Sequence, residues 1–136
     1  MHRKIGIAIT VFTILTITAS IVSAGNAHFV GNPQLSTSGN IAIASGKVAG
    51  LGNIDQIHVE VSGEAACVNR GNKNPTADNK DEFSASGDFP VQNGKALFSL
   101  QLSATFQPDC TPPMRVEWSN LSVTVSVGGV VILTYP

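Results

Sequence analysis

Nitrogen donors are scarce in this chain: the histidines stand at positions 2, 28 and 58. If the leader is cut after Ala27, His28 becomes the first residue. Its free amine and ring nitrogen would then chelate a metal, with His58 as a third nitrogen ligand. Nitrogen ligands in a tetragonal arrangement suit Cu(II). The plainer alternative is cleavage after Ala24, with His28 in a first strand and His58 facing solvent beside Glu60.

Oxygen donors gather in one place. Residues 69–82 form the longest loop predicted for the mature chain, and long ordered loops are where binding concentrates. Asn69, Arg70, Asn72, Asn74, Asp78 and Asp81 are its candidate contact residues. Asp78, Asp81, Glu82 and the amides offer hard oxygen ligands for calcium. The spacing is not D-x-D-x-D-G, and Arg70, Lys73 and Lys80 offset the charge.

Cys67 and Cys110 are the only cysteines. A lone pair in a small exported domain predicts a disulfide. Closing so long a loop stabilises a fold by about 4 kcal/mol in the chain-entropy model. A metal pair would need further ligands at finger spacing, and none stands there. Hydrolytic chemistry finds less support. His58 with Asp55 or Glu60 could orient a serine, but there is no G-x-S-x-G elbow. Glu60, Glu64, Asp88 and Glu117 are scattered along the chain. Trp118 shares its parity with Met114 and Val116, which predicts core rather than a sugar platform. Asn120-Leu121-Ser122 matches a glycosylation sequon. No catalytic residue and no cofactor is assigned, and the expectation is a non-enzyme.

Several features point to export. Met1-His2-Arg3-Lys4 is a basic start, residues 5–21 are uncharged and mostly apolar, and small residues follow. That is the order of a secretory signal peptide. Cleavage is expected after Ala24, or after Ala27, giving a leader over 1–24 and a domain over 25–136. Retention would instead make residues 5–22 a membrane anchor of about spanning length. Charged residues are only 12% of the chain and hydrophobic ones 43%, with a net charge of −1. Loss of Arg3 and Lys4 leaves six Lys and Arg against nine Asp and Glu. No basic patch remains for phosphates, which argues against nucleic acid. An extracellular partner or self-association is expected.

The elements that must position these residues read as strands. In residues 95–106, Ala96, Phe98, Leu100, Leu102, Ala104 and Phe106 alternate with mostly polar residues, giving one dry and one wet face. Residues 28–30, 34–37, 41–48 and 54–68 are earlier strand-like runs, with Ile57, Val59 and Val61 facing one way. Residues 82–92 and 95–106 read as a hairpin around Asn93-Gly94. In that hairpin Phe89 would face Phe98, Gly87 would face Leu100, and Ala85 would face Leu102. Pro90 would sit at a position needing a donor, so a four-residue loop over 92–95, or a bulge, is preferred. The apolar parity switches between Trp118 and Leu121, which demands a bend, bulge or turn at Ser119-Asn120. Gly128-Gly129 turns the chain into a last strand, residues 130–135. Short strands with turn signals between them predict an all-β, immunoglobulin-like antiparallel sandwich of seven to eight strands behind the signal peptide. The antibody order Cys…Trp…Cys is missing, because Trp118 follows both cysteines. The disulfide should tie a strand end to a loop.

Longer strings carry a resemblance. They run from His28-Phe29-Val30-Gly31-Asn32 and Ala49-Gly50-Leu51-Gly52-Asn53 through Gln56-Ile57-His58-Val59, Cys67-Val68-Asn69-Arg70-Gly71 and Asn74-Pro75 to Phe106-Gln107-Pro108-Asp109-Cys110. Across the mature chain this resembles a group of small secreted bacterial proteins of unassigned function. The resemblance implies export and a β-rich domain, and carries no functional residue. Separately, a histidine brace on a sandwich resembles copper-binding periplasmic proteins and lytic polysaccharide monooxygenases, which implies copper at His28 and His58. The expected function is a secreted, disulfide-stabilised binding or structural module. The copper protein and a calcium-stabilised domain are the alternatives.

Overall fold

The computed structural model describes residues 25–69 and 80–136. Its strands are β1 (His28–Phe29), β2 (Gln34–Ser38), β3 (Ile41–Ala49), β4 (Gln56–Val68), β5 (Lys80–Pro90), β6 (Ala96–Ser103), β7 (Arg115–Val127) and β8 (Val130–Tyr135). They form two four-stranded antiparallel sheets packed face to face. In the first sheet β6 takes one edge of β3, while β1 and β2 share the other. These two are one edge strand interrupted at Gly31-Asn32-Pro33. The second sheet has the order β5-β4-β7-β8. The leader expected over 1–24 lies outside the described residues.

Alternation explains the core. Ile57, Val59 and Val61 of β4 are 0–1% exposed and meet Val123 and Val125 of β7. Opposite them lie Ala42, Ala44 and Val48 of β3 with Ala96, Phe98 and Leu102 of β6. Each large apolar side chain so buried contributes about 1.5–3 kcal/mol. Small residues on β3 make room for one large one on β6. A Cβ at Gly46 would come within 2.8 Å of the Phe98 ring. That ring meets Phe29 and Phe89 edge-on, with centroids at 6.4 and 6.3 Å.

The hairpin expected from residues 82–106 is corrected by the structure. Asn93 and Gly94 make a two-residue turn, both at positive φ (53° and 74°), in place of the preferred four-residue loop over 92–95. Gln92 and Lys95 exchange backbone hydrogen bonds of 2.8 and 3.0 Å. Pairing stops there. β5 joins β4 in the second sheet and β6 joins β3 in the first. Phe89 still meets Phe98, and a Cβ at Gly87 would lie 3.4 Å from Leu100. They meet through side chains across the sandwich, not side by side in a ladder. A period-2 pattern defines a dry face but is silent on which neighbour covers it.

Pro90 now has an explanation. Val91 N–H donates to Asp55 O at 2.9 Å. Bonding pairs alternate along an antiparallel ladder. The odd-numbered residues of β5 therefore bond β4, and Pro90 turns its donorless nitrogen to the open edge, where proline is tolerated.

The parity switch in β7 is a bulge inside one continuous strand. Ser62 pairs with Ser122 but Glu64 pairs with Ser119, so β7 carries one extra residue opposite Gly63. Asn120 takes it up at φ 53°, a conformation asparagine tolerates better than most residues. Trp118 and Leu121 can then both face inward. Leu121 lies over Gly63, where a Cβ would collide with it.

Backbone direction in β6 follows from the same alternation. Ala104 N–H donates to Asn40 O at 2.8 Å, so the even-numbered residues of β6 bond β3. The amides of Leu97, Ser99, Gln101 and Ser103 face the open edge. In dilute protein, hydrogen exchange should be fast at these four and slow at Phe98, Leu100 and Leu102. Protection of Ser99 and Gln101 under those conditions would instead indicate the β5–β6 hairpin.

Candidate functional site

The chemistry-bearing residues converge most at the end of the sandwich where β4 finishes. Cys67, next to last in β4, is bonded to Cys110 in the loop between β6 and β7, with the Cα atoms 5.7 Å apart and 43 residues of separation. This is the strand-end-to-loop tie expected from the sequence. Ala65, Cys67, Ala104 and Phe106 form a second buried cluster there, flanked by Phe83, Met114, Val116 and Trp118. Ala104 and Phe106 continue the inward parity of β6 after its ladder ends, so the loop is packed from its first residues. Trp118 sits half-buried between the two clusters. Its indole N–H donates to Gly39 O at 3.1 Å, and its ring meets Phe83 at 6.1 Å. That is the core role its parity predicted.

Above this cluster opens a depression of about 700 Å³. Asn40, Phe106, Asp109, Pro112, Met114 and Arg115 are among its lining. Arg115 also donates to Glu117 Oε1 at 2.8 Å on the wet face of β7. The surface mixes apolar side chains, one acid and one guanidinium.

The copper ligand set drawn from the sequence is not assembled. His28 lies on the outer face of the first sheet, its Nδ1–H donating to Asn26 O at 2.7 Å. His58 lies on the outer face of the second sheet, between the inward-facing Ile57 and Val59. The core separates them, because each neighbours inward residues on its own strand. Among the described residues no group of three or more His, Cys, Asp or Glu could hold a metal ion. Asn69 is exposed just beyond β4, and Asp81 accepts the Glu82 amide at 2.8 Å. Arg70, Asn72, Asn74 and Asp78 lie outside the described residues, and with them most of the expected binding loop and its calcium ligands.

Two arrangements were not legible in the sequence. His58 donates from Nδ1 to Asp88 Oδ1 at 2.8 Å, rather than to Asp55 or Glu60. Ser126 stands on the other side of His58 in the register, but the ring bonds the aspartate and not the serine. At the bulge, Asn120 Nδ2 donates to Glu64 Oε2 at 3.0 Å, and Lys80 Nζ lies 3.4 Å from the same oxygen. The asparagine bond and then the lysine hold the Glu64 carboxyl below its usual value. Only the register of β4 against β5 and β7 brings these groups together. The parity break was the sequence signal that pointed to an unusual backbone at Asn120.

No family model, no curated protein and no solved structure matches the chain. What stands of the sequence resemblance is a small β-rich protein. Fold and site together define a disulfide-stabilised all-β module.

Two outcomes follow for this end of the molecule. Replacing Cys67 and Cys110 together with alanine should lower stability by about 4 kcal/mol, read as a loss in urea midpoint. In an NMR titration, Glu64 should protonate below its unfolded-chain value, and Asn120→Gly, which keeps the positive φ, should raise it. Because the folded pKa is lowered, the stabilisation is present above the unfolded pKa and is lost as pH falls through the folded one.

Proposed function

We propose that this protein is a secreted, immunoglobulin-like sandwich that acts by contact rather than by turnover. The disulfide end would be its contact surface. The observation that carries this reading is the Cys67–Cys110 bond, which fixes an irregular loop over an open depression on an otherwise regular sandwich. Stable disulfides belong to oxidising compartments. The basic start, apolar run and small residues at the head of the chain support the same destination. The immunoglobulin-like assignment is supported by connectivity. A broken first strand, β3 and β6 make one sheet, and β5, β4, β7 and β8 make the other. Adding the strand after the third to the opposite sheet is the variable-type variation on that plan.

Intact mass of the protein recovered from the extracellular fraction, taken without reductant, tests this. The expected mass begins at Gly25 and lacks two hydrogens for the disulfide. A chain beginning at Met1, or two free thiols, would overturn the assignment to a secreted module.

A further inference from the structure

The sandwich has open strand edges, and most of them are blunted. The outward edge of β5 carries Glu82, Asp88 and the donorless Pro90. β2 is five residues long and begins just after Pro33. β8 is six residues long and is interrupted by a register shift between its pairs with Val125 and Ser126. Charges, proline, shortness and bulges are the usual protections against edge-to-edge pairing.

β6 has none of them. It is eight residues long and pairs with β3 without a register shift. From Ala96 to Pro108 the sequence holds no charged residue. Leu97, Ser99, Gln101 and Ser103 are exposed, and their backbone groups point outward. Leu97 is 71% exposed. On the inner face Ala96, Phe98 and Leu102 are buried, but Leu100 is only half-buried at this edge.

We propose that β6 pairs antiparallel with β6 of a second copy of this chain, about a two-fold axis through Leu100. The register follows from the bond directions. Outward-bonding residues must pair with one another, so Ser99 faces Gln101 of the second copy and Leu97 faces Ser103. The two Leu100 side chains then meet on the axis and complete each other's burial. Phe98 and Leu102 align on the dry face, and Ser, Gln and Leu on the wet face. A neutral strand sets no like charges opposite each other when it pairs with itself, which is why the occupant is a second copy. A two-fold pairing closes, so the product is a dimer and not a fibre. None of this rests on export or on the contact surface at the disulfide end.

The test is molar mass by light scattering during size exclusion over a range of concentrations, using the oxidised protein with its starting residue fixed by intact mass. Wild type should rise from the monomer mass to twice that value, with the Ser99 and Gln101 amides gaining protection as it does. Both substituted positions are exposed, and circular dichroism checks that each variant folds. Ser99→Lys with Gln101→Lys sets lysines opposite each other across the axis and should leave only monomer. Ser99→Lys with Gln101→Glu sets opposite charges across it and should keep the dimer. A wild type that stays monomeric throughout overturns the proposal. So does dissociation of both double variants, or of neither.

Discussion

Strand β4 has both edges paired along nearly its full length, to β5 and to β7, and its inner face is shut away from water. Everything else is arranged around that condition. A strand with no free edge must be flanked by partners whose dry faces match its own over thirteen residues. β5 meets the demand with a simple alternation. β7 meets it only by carrying an extra residue, because its own apolar parity changes midway. The bulge at Asn120 is thus the local consequence of pairing two long strands whose hydrophobic patterns differ by one step.

The same condition explains the fate of the Asn93-Gly94 turn. By local pattern alone, residues 82–106 read as a hairpin. In the folded chain β4 captures β5 and β3 captures β6, each gaining a full ladder while the dry faces close over each other. Two of the three connections between the layers, β3 to β4 and β5 to β6, lie together at one end, where Leu51 N–H donates to Gly94 O at 3.0 Å. Gly94, where a Cβ would lie 3.4 Å from Gly52 N, leaves room for this approach, and Gly50 leaves room for a second one, against the start of the domain. Gly50 sits at φ 74°, and a side chain there would run into the carbonyl of Asn26. At the opposite end the disulfide does the equivalent work for a loop with no ladder of its own. One end is fixed by backbone hydrogen bonds and glycines, the other by a covalent bond and a small apolar cluster.

Polar chemistry stays on the outside. His58 with Asp88, and Glu64 with Asn120 and Lys80, are cross-strand clusters on the wet face of the second sheet. Exposed pairs of this kind contribute little to stability. Among the described residues no polar or charged side chain is buried. The uncharged β6 edge stands out against this surface.

The sequence by itself determined the strands, their dry faces, the turns at Asn93-Gly94 and Gly128-Gly129, the break near Asn120 and the pairing of the cysteines. Each of these is local, or is forced by having a single possible partner. Alternation is written in consecutive residues, a positive φ selects glycine or asparagine, and two cysteines have one way to pair. Tertiary structure alone decided which strand lies beside which, and so the meeting of His58 with Asp88 and of Glu64 with Asn120. It also decided the separation of His28 from His58. A dry face can be covered by a lateral neighbour or by the opposite sheet at similar gain in burial, and the pattern within one strand is the same in both cases. The choice rests on the summed burial of all the strands at once, which no single stretch of sequence contains.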